Sequence, residues 1–243
     1  MEALSHVLVD ACHMLADQGQ GDLIWGHVSA RLPGQPDRIL MKPAGFGLEE
    51  IDEDGLITVN LDGEKIAGPH PLHVEVFIHT EIMRGRPEVH SVVHTHPPHA
   101  VAFSSLKRPL LPVGHEGALF CDGLPVFDKT SDLIVSAELG RSVARTLGAA
   151  NAMLMRNHGL VTAGRSVEEA CMTAVLLDKA CRVQLLAEAA GGPKVTSPLA
   201  EARAKRDRLY VPSSLGLAFR YCARRARSAG RDRAAAQAGW RKI

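Results

Sequence analysis

Val92-Val93-His94-Thr95-His96-Pro97-Pro98 sets two histidines two residues apart at the end of an apolar run. In an extended strand, residues i and i+2 project from the same face. His94 and His96 therefore stand side by side where the strand stops, a partial site for a transition metal. A third imidazole, His158, sits in an Arg156-Asn157-His158-Gly159 turn after the apolar run Ala152-Met153-Leu154-Met155. Glu75 lies in the first turns of a predicted helix just ahead of the His94 strand. Three imidazoles and one carboxylate form a ligand set for Zn²⁺ or Mn²⁺ that leaves room for a substrate or water. A lone histidine is ordinarily a hydrogen-bonded core or surface group. A His-x-His pair at a strand end, followed by a second strand-end histidine, points instead to a metal.

The elements that must position these groups follow from periodicity. Residues 2–18 repeat with a helical period and stop at Gly19 and Gly21. Trp25–Arg31, Arg38–Met41, Leu56–Val59 and Lys65–Ala67 read as strands separated by turns. Pro71 opens a helix to about Arg84. A short helix begins at Pro97-Pro98, and a strand is expected near Leu110–Val113. Residues 131–147 read as a helix capped by Ser131. Ser166-Val167-Glu168-Glu169 resembles a capping box and starts a long helix to about Ala190. Mixed strands and helices joined by turns predict an α/β/α arrangement around a mostly antiparallel or mixed sheet. Residues 1–190 form the metal-binding domain, and 191–243 an Arg- and Ala-rich helical extension. Its Arg224-Arg225-Ala226-Arg227 run reads as a solvated helix face or mobile tail.

Composition narrows the function classes. The 243 residues carry a formal net charge of +1, which selects neither nucleic acid nor an anionic membrane. Aromatic residues at 4% leave little to stack on single-stranded bases. The five scattered cysteines include no C-x-x-C pair, which fits a reducing cytoplasm. The N-terminal run MEALSHVLVDACHML lacks the basic and uninterrupted apolar regions of a signal peptide, and no apolar stretch approaches the length of a membrane span. A cytoplasmic protein is the expectation.

Taken in order, Gly26-His27-Val28-Ser29-Ala30-Arg31, Lys42-Pro43-Ala44-Gly45, Glu75 with His79, Arg86 through Ala100 and Arg156-Asn157-His158-Gly159-Leu160 resemble the class II aldolase/adducin family. That family includes L-fuculose-phosphate aldolase and L-ribulose-phosphate 4-epimerase. The resemblance implies a three-layer α/β/α sandwich with a central, mainly antiparallel sheet, and a homotetramer with active sites at subunit interfaces. It implies one divalent metal per subunit (Zn or Mn, with Co possible), held by His94, His96, His158 and Glu75. Glu75 would also act as acid/base. The substrate positions map onto His27, Ser29, Gly45 and His73.

The departures bear on the substrate. Where sugar-phosphate aldolases place an Asn, a Thr-Gly and a Ser-Ser for phosphate, this chain has His27, Ala44-Gly45 and His73-Val74. A phosphate dianion needs several converging N–H and O–H donors, and Ala44 and Val74 offer none from their side chains. A flatter carboxylate fits His27 and His73, with Arg31 and Lys42 as further candidates; a structural ion pair for Arg31 and a solvated loop for Lys42 are the ordinary alternatives. His115, in His115-Glu116-Gly117-Ala118, falls near the place of the family's catalytic tyrosine from a neighbouring subunit and is the candidate proton donor, with Glu116 as its alternative.

The family's shared chemistry is a metal-stabilised enolate. The expectation is a metal-dependent carbon–carbon lyase that decarboxylates a hydroxyaromatic or heteroaromatic carboxylate, or a related ring-cleavage product. An aldolase acting on a hydroxy-keto acid or sugar phosphate, and a non-catalytic adducin-like assembly module, are the alternatives.

Overall fold

Alternation along the strands decides the layers. In β5 (Ser91–Thr95), Val92 packs on one face of the sheet and Val93 on the other. β5 lies at the centre of an eight-stranded sheet with β1 (His27–Leu32), β2 (Gln35–Met41), β3 (Ile57–Asn60), β4 (Lys65–Ala67), β6 (Val126–Phe127), β7 (Ala152–Met155) and β8 (Gly159–Gly164). The order is β4-β3-β2-β1-β5-β8-β7-β6. Every pairing is antiparallel except β6 with β7. The computed structural model describes residues 2–240; Met1 and the last three residues of the 191–243 extension lie outside the described residues.

One face of the sheet, with Val28, Ala30, Leu32, Val93 and Leu160, packs on α1 (Glu2–Leu15), α5 (Val167–Ala189) and α7 (Pro212–Trp240). The other, with Ile39, Met41, Val92, Met153 and Val161, packs on α2 (Val76–Gly85) and α4 (Ala137–Leu147). This is the expected three-layer α/β/α sandwich. Each fully buried Leu, Ile or Val contributes roughly 1.5–3 kcal/mol, so the two apolar faces clamp the sheet between helices. α3 (Pro98–Ser104) begins directly after β5, and α6 (Leu199–Leu209) lies near the 116–120 turn.

Several elements depart from the pattern-based expectation. α2 begins at Val76, not Pro71, because Ala44 N donates to Pro71 O and ties this backbone to the loop after β2. Glu75 is therefore the cap residue of α2 and precedes its first turn. α4 is capped by Ser136, whose hydroxyl accepts from Leu139 N, and not by Ser131. Leu110–Val113 forms no strand, since Gln184 satisfies that backbone by accepting from Leu111 N and donating to Pro109 O. The two-residue β6 is too short to carry a period.

The Arg-rich run lies within α7, with Arg224, Arg225 and Arg227 on its exposed face, as the solvated-face reading expects, and the opposite face of the helix is buried. Leu215, Phe219, Cys222, Ala223 and Ala226 of α7 join the same apolar cluster as α1 and α5. Arg227 pairs with Asp10 (Nε to Oδ1, 2.8 Å) and Arg225 with Asp17 (3.4 Å). The five cysteines are free. Among the described residues, no helix is long and apolar enough to cross a membrane.

Candidate metal centre

β1 and β5 are paired so that His27 lies opposite His94 and Ser29 opposite Val92. Since Val28, Ala30 and Leu32 face α1 and α5, strand alternation turns His27, Ser29 and Arg31 toward α2. Glu75, His79 and Met83 recur every four residues along α2 and meet that row in step. Glu75 Oε2 lies 3.9 Å from His27 Nε2, His79 hydrogen-bonds Ser29, and Met83 O accepts from Arg31. Eight helical steps cover about 12 Å and four strand steps about 13 Å, so helix and strand stay in register from the metal cluster to the far end of β1.

Glu75, His94, His96 and His158 each offer one ligand atom, and these atoms all lie within 4.8 Å of one another. Among the described residues this is the one group of three or more His, Cys, Asp or Glu side chains so placed. Glu75 Oε2 is 3.6 Å from His94 Nε2, Glu75 Oε1 is 3.6 Å from His158 Nε2, and the Nε2 atoms of His94 and His96 are 3.0 Å apart. Neighbouring donors about 2.1 Å from one Zn²⁺ sit roughly 3–3.5 Å apart. The separations therefore suit a single small divalent ion.

The far nitrogens of two ligands are already engaged. His94 Nδ1 donates to Leu160 O (2.9 Å) and His96 Nδ1 to the Asp22 carboxylate (3.1 Å). Such outer partners fix ring orientation and leave the Nε2 lone pair for a metal. Burial, then the neighbouring His94, pushes the His96 pKa down to about 3 and keeps its ring neutral. Burial by itself would raise the Glu75 pKa, but the imidazoles of His158, His27 and His94 outweigh it and hold this carboxyl well below the usual range. Glu75 Oε1 also accepts from Ile134 N (2.9 Å), which anchors the 131–136 loop over the cluster.

The His158 turn has its own local causes. Asn157 takes a left-handed backbone (φ 55°), which Asn tolerates better than most residues. At Gly159 an added Cβ would lie 2.4 Å from Thr95 O and 2.7 Å from His96 Cδ2. Glycine is thus required for β8 to start against the two-histidine strand end.

The remaining candidates are placed as follows. His27 and His73 stand beside the cluster, with ring centroids 4.1 Å from each other and His27 5.0 Å from His94. Burial pushes the His73 pKa down to about 4. Ser29 reaches His79 rather than open space. Gly45 is an exposed left-handed position (φ +87°) in the loop tied to Pro71. Lys42 is fully buried, not solvated, and its Nζ donates to Ile24 O and Pro43 O (both 3.1 Å). Among the described residues Arg31 has no ion-pair partner, and it is not brought to the cluster. Its guanidinium donates to the carbonyls of Val89, Pro36 and Met83. His115, which is exposed, and the half-buried Glu116 start the 116–120 turn, whose Gly117, Ala118 and Phe120 are buried, and neither lines the cavity over the cluster.

That cavity, about 620 Å³, is walled by Trp25, Pro98, Val101, Ala102 and Leu133, with Glu75, His96 and His158 at its base. A larger space of about 1010 Å³ between the 119–125 segment and the C-terminal helices contains no such ligand group. The sequence reading gave His79 no role beyond the family motif, took 131–136 as part of a helix, and passed over Asp22. His79 had a signal, lying one helical turn beyond Glu75; Asp22 and Ile134 had none.

Known proteins share this frame. The family described as Class II Aldolase and Adducin N-terminal domain matches residues 6–185. The chain is 35% identical over 175 residues to Decarboxylase NovR of Streptomyces niveus, covering 71% of this chain and 65% of that one. It is 36% identical over 173 residues to a Streptomyces roseochromogenus subsp. oscitans protein named 4-hydroxy-3-prenylphenylpyruvate oxygenase/4-hydroxy-3-prenylbenzoate synthase, covering 70% and 62%. It thus spans less than two thirds of the length of these two relatives. The structure of L-fuculose 1-phosphate aldolase from Glaciozyma antarctica PI12 superposes with a TM-score of 0.84 at 26% identity, covering 95% of this chain and 90% of that one. With the sheet order, the ligand cluster and the matched residues in agreement, the chain belongs to the class II aldolase and adducin family.

Proposed function

We propose that the protein is a metal-dependent carboxy-lyase acting on a non-phosphorylated hydroxyaromatic or heteroaromatic carboxylate. The observation that carries this reading is the cavity. Apolar and aromatic walls from Trp25, Val101, Ala102 and Leu133 rise over a base of Glu75, His96 and His158. A flat ring fits such walls, while its hydroxyl and carboxylate need the polar base. The two named relatives support it, one as a decarboxylase and the other by a hydroxyaromatic keto acid and benzoate in its name.

His94, His96, His158 and Glu75 would hold one divalent ion, Zn, Mn or Co. When bound, that ion supplies a Lewis acid for charge developing on the substrate's hydroxyl oxygen. His27 and His73 receive the carboxylate. Trp25 and Leu133 cover the ring and exclude water. The bond from ring to carboxylate carbon breaks, CO₂ departs, and the carbon left behind takes a proton. Glu75, held ionised by its imidazoles, is a proton acceptor at neutral pH. We give the donor's role to His115, with Glu116 beside it as the alternative. Because His115 is exposed and outside its own cavity, this reading takes the assembly as a homotetramer in which it serves a neighbouring copy.

The test is a screen of the zinc- and manganese-loaded protein for CO₂ release from dihydroxybenzoates, hydroxyphthalates and hydroxypyridine carboxylates. CO₂ in proportion to acid consumed supports the assignment. Release of an aldehyde or pyruvate instead makes the protein an aldolase. O₂ uptake matches the relative named as an oxygenase. No bound metal and no turnover leaves an assembly module.

A further inference from the structure

Beside the ligand cluster, Ser29, His79 and His27 form a hydrogen-bonded line that the metal does not use. Ser29 Oγ lies 2.7 Å from His79 Nδ1, and His79 Nε2 lies 2.6 Å from His27 Nδ1. All three residues are fully buried. The line ends at His27 Nε2, which has no hydrogen-bond partner and faces Glu75 Oε2 at 3.9 Å.

The protons of this line have two arrangements. With both rings neutral there is one N–H on each imidazole and one O–H on Ser29. In the first, Ser29 donates to His79 Nδ1, His79 Nε2–H donates to His27 Nδ1, and His27 carries its proton on Nε2. In the second, every bond is reversed. His27 Nδ1–H then donates to His79, His79 Nδ1–H donates to Ser29, and His27 Nε2 is bare.

Both ends favour the first arrangement. Among the described residues Ser29 Oγ has no second partner, so reversal would leave its O–H without an acceptor in the interior, which is costly. Reversal would also turn a nitrogen lone pair toward the Glu75 carboxylate, where charge favours an N–H.

We propose that Ser29 and His79 are positioning residues that preset His27 as an Nε2–H donor aimed at the Glu75 edge of the metal cluster, where it receives the carboxylate of the substrate. This rests on the carboxy-lyase reading for the identity of the acceptor, but not for the direction of the line. It separates two kinds of imidazole in one site. Those of His94 and His96 are held with bare Nε2 by Leu160 O and Asp22, while that of His27 is held with a protonated Nε2 by Ser29 and His79. The same device of fixing the far nitrogen thus makes ligands of some histidines and a hydrogen-bond donor of another.

The experiment is nitrogen-15 NMR of the zinc-loaded protein with ring-labelled histidine, in which N–H and bare ring nitrogens are distinguishable. The expected result is His27 as the Nε2–H tautomer. Ser29→Ala should admit the Nδ1–H form and weaken binding of 2-hydroxybenzoate, used as probe, on the order of tenfold, with bound zinc unchanged. His79→Gln, whose amide can still donate to His27 Nδ1, should keep the tautomer, and His79→Leu should lose it. An Nδ1–H tautomer of His27 in the unmutated protein overturns the proposal without any variant. So does a Ser29→Ala protein with unchanged tautomer and probe affinity. An Nε2–H His27 in a protein that releases no CO₂ from any acid counts against the carboxy-lyase reading alone. CO₂ release with an Nδ1–H His27 counts against this proposal alone.

Discussion

The Nε2 atoms of His94 and His96 face each other at 3.0 Å, and neither can donate to the other. Each ring places its proton on Nδ1, His94 for the Leu160 carbonyl and His96 for the Asp22 carboxylate. Two lone pairs therefore converge beside an ionised Glu75. A divalent cation is the partner that relieves this arrangement. His94→Ala and His158→Ala should each abolish tight metal binding and turnover, read by metal analysis of dialysed protein. A variant that retains one metal per chain would remove that residue from the ligand set.

Asp22 acts on the metal only through His96. Loss of an outer-shell carboxylate typically costs 10–100-fold in metal affinity. Asp22→Asn should weaken zinc binding by about that factor, measured by chelator competition, while the ligand count stays the same. Unchanged affinity would mean that packing alone orients the His96 ring.

The ligands were legible because each obeys a local rule. His94 and His96 share a strand face, and His158 lies in a turn that breaks two apolar runs. Glu75 was legible as a residue but not as a helix cap, because the bond from Ala44 N to Pro71 O that delays α2 joins residues far apart in sequence. Periods of 2 and 3.6 gave the α/β/α arrangement and the family resemblance implied the three-layer sandwich, whereas β6, with two residues, has no period to read. Asp22 and Ile134 were invisible for another reason: each meets the site through one long-range hydrogen bond and belongs to no pattern. The sequence left Arg31 and Lys42 open between a substrate and a structural role, because a cation near a pocket in sequence is not thereby in it. Backbone carbonyls took both.

Arg31 is a stability residue on this structure. Its guanidinium bridges Val89 O on the approach to β5 and Met83 O near the end of α2. Net hydrogen bonds contribute about 1 kcal/mol each, and three carbonyls lose their donor together. Arg31→Ala should lower unfolding stability by about 3 kcal/mol in urea titration, with metal affinity unchanged. Lost metal binding at full stability would place Arg31 in the site after all.

The buried histidines set a pH dependence for the metal-free protein. Burial depresses His73 from 6.5 to about 4 and His96 to about 3, and holds His27 and His79 well below 6.5. In the unfolded chain these rings titrate near 6.5. Between pH 6.5 and 4 the unfolded state binds more protons, so stability falls as pH falls through that window and is fully present above it. His73 alone accounts for roughly 3 kcal/mol across the window. Urea unfolding at pH 7.5 and pH 5 checks the sign; a flat or inverted profile contradicts neutral burial of these rings.

Gly159 tests whether backbone approach, and not only ligand identity, sets the centre. A Cβ there would press on Thr95 O at 2.4 Å and His96 Cδ2 at 2.7 Å, both far inside ordinary contact. Thr95 O belongs to β5 backbone and yields little. The His96 ring can turn, but turning breaks its bond to Asp22 and moves Nε2 away from His94. Gly159→Ala should therefore lower zinc affinity, by about the same 10–100-fold expected for loss of the Asp22 support, and also destabilise the fold by about 1–3 kcal/mol through overpacking. The two effects separate by measurement: chelator competition reads the first and urea unfolding of the metal-free protein the second. A destabilised Gly159→Ala protein with unchanged zinc affinity would show that His96 is held by Asp22 firmly enough to displace the β8 start instead.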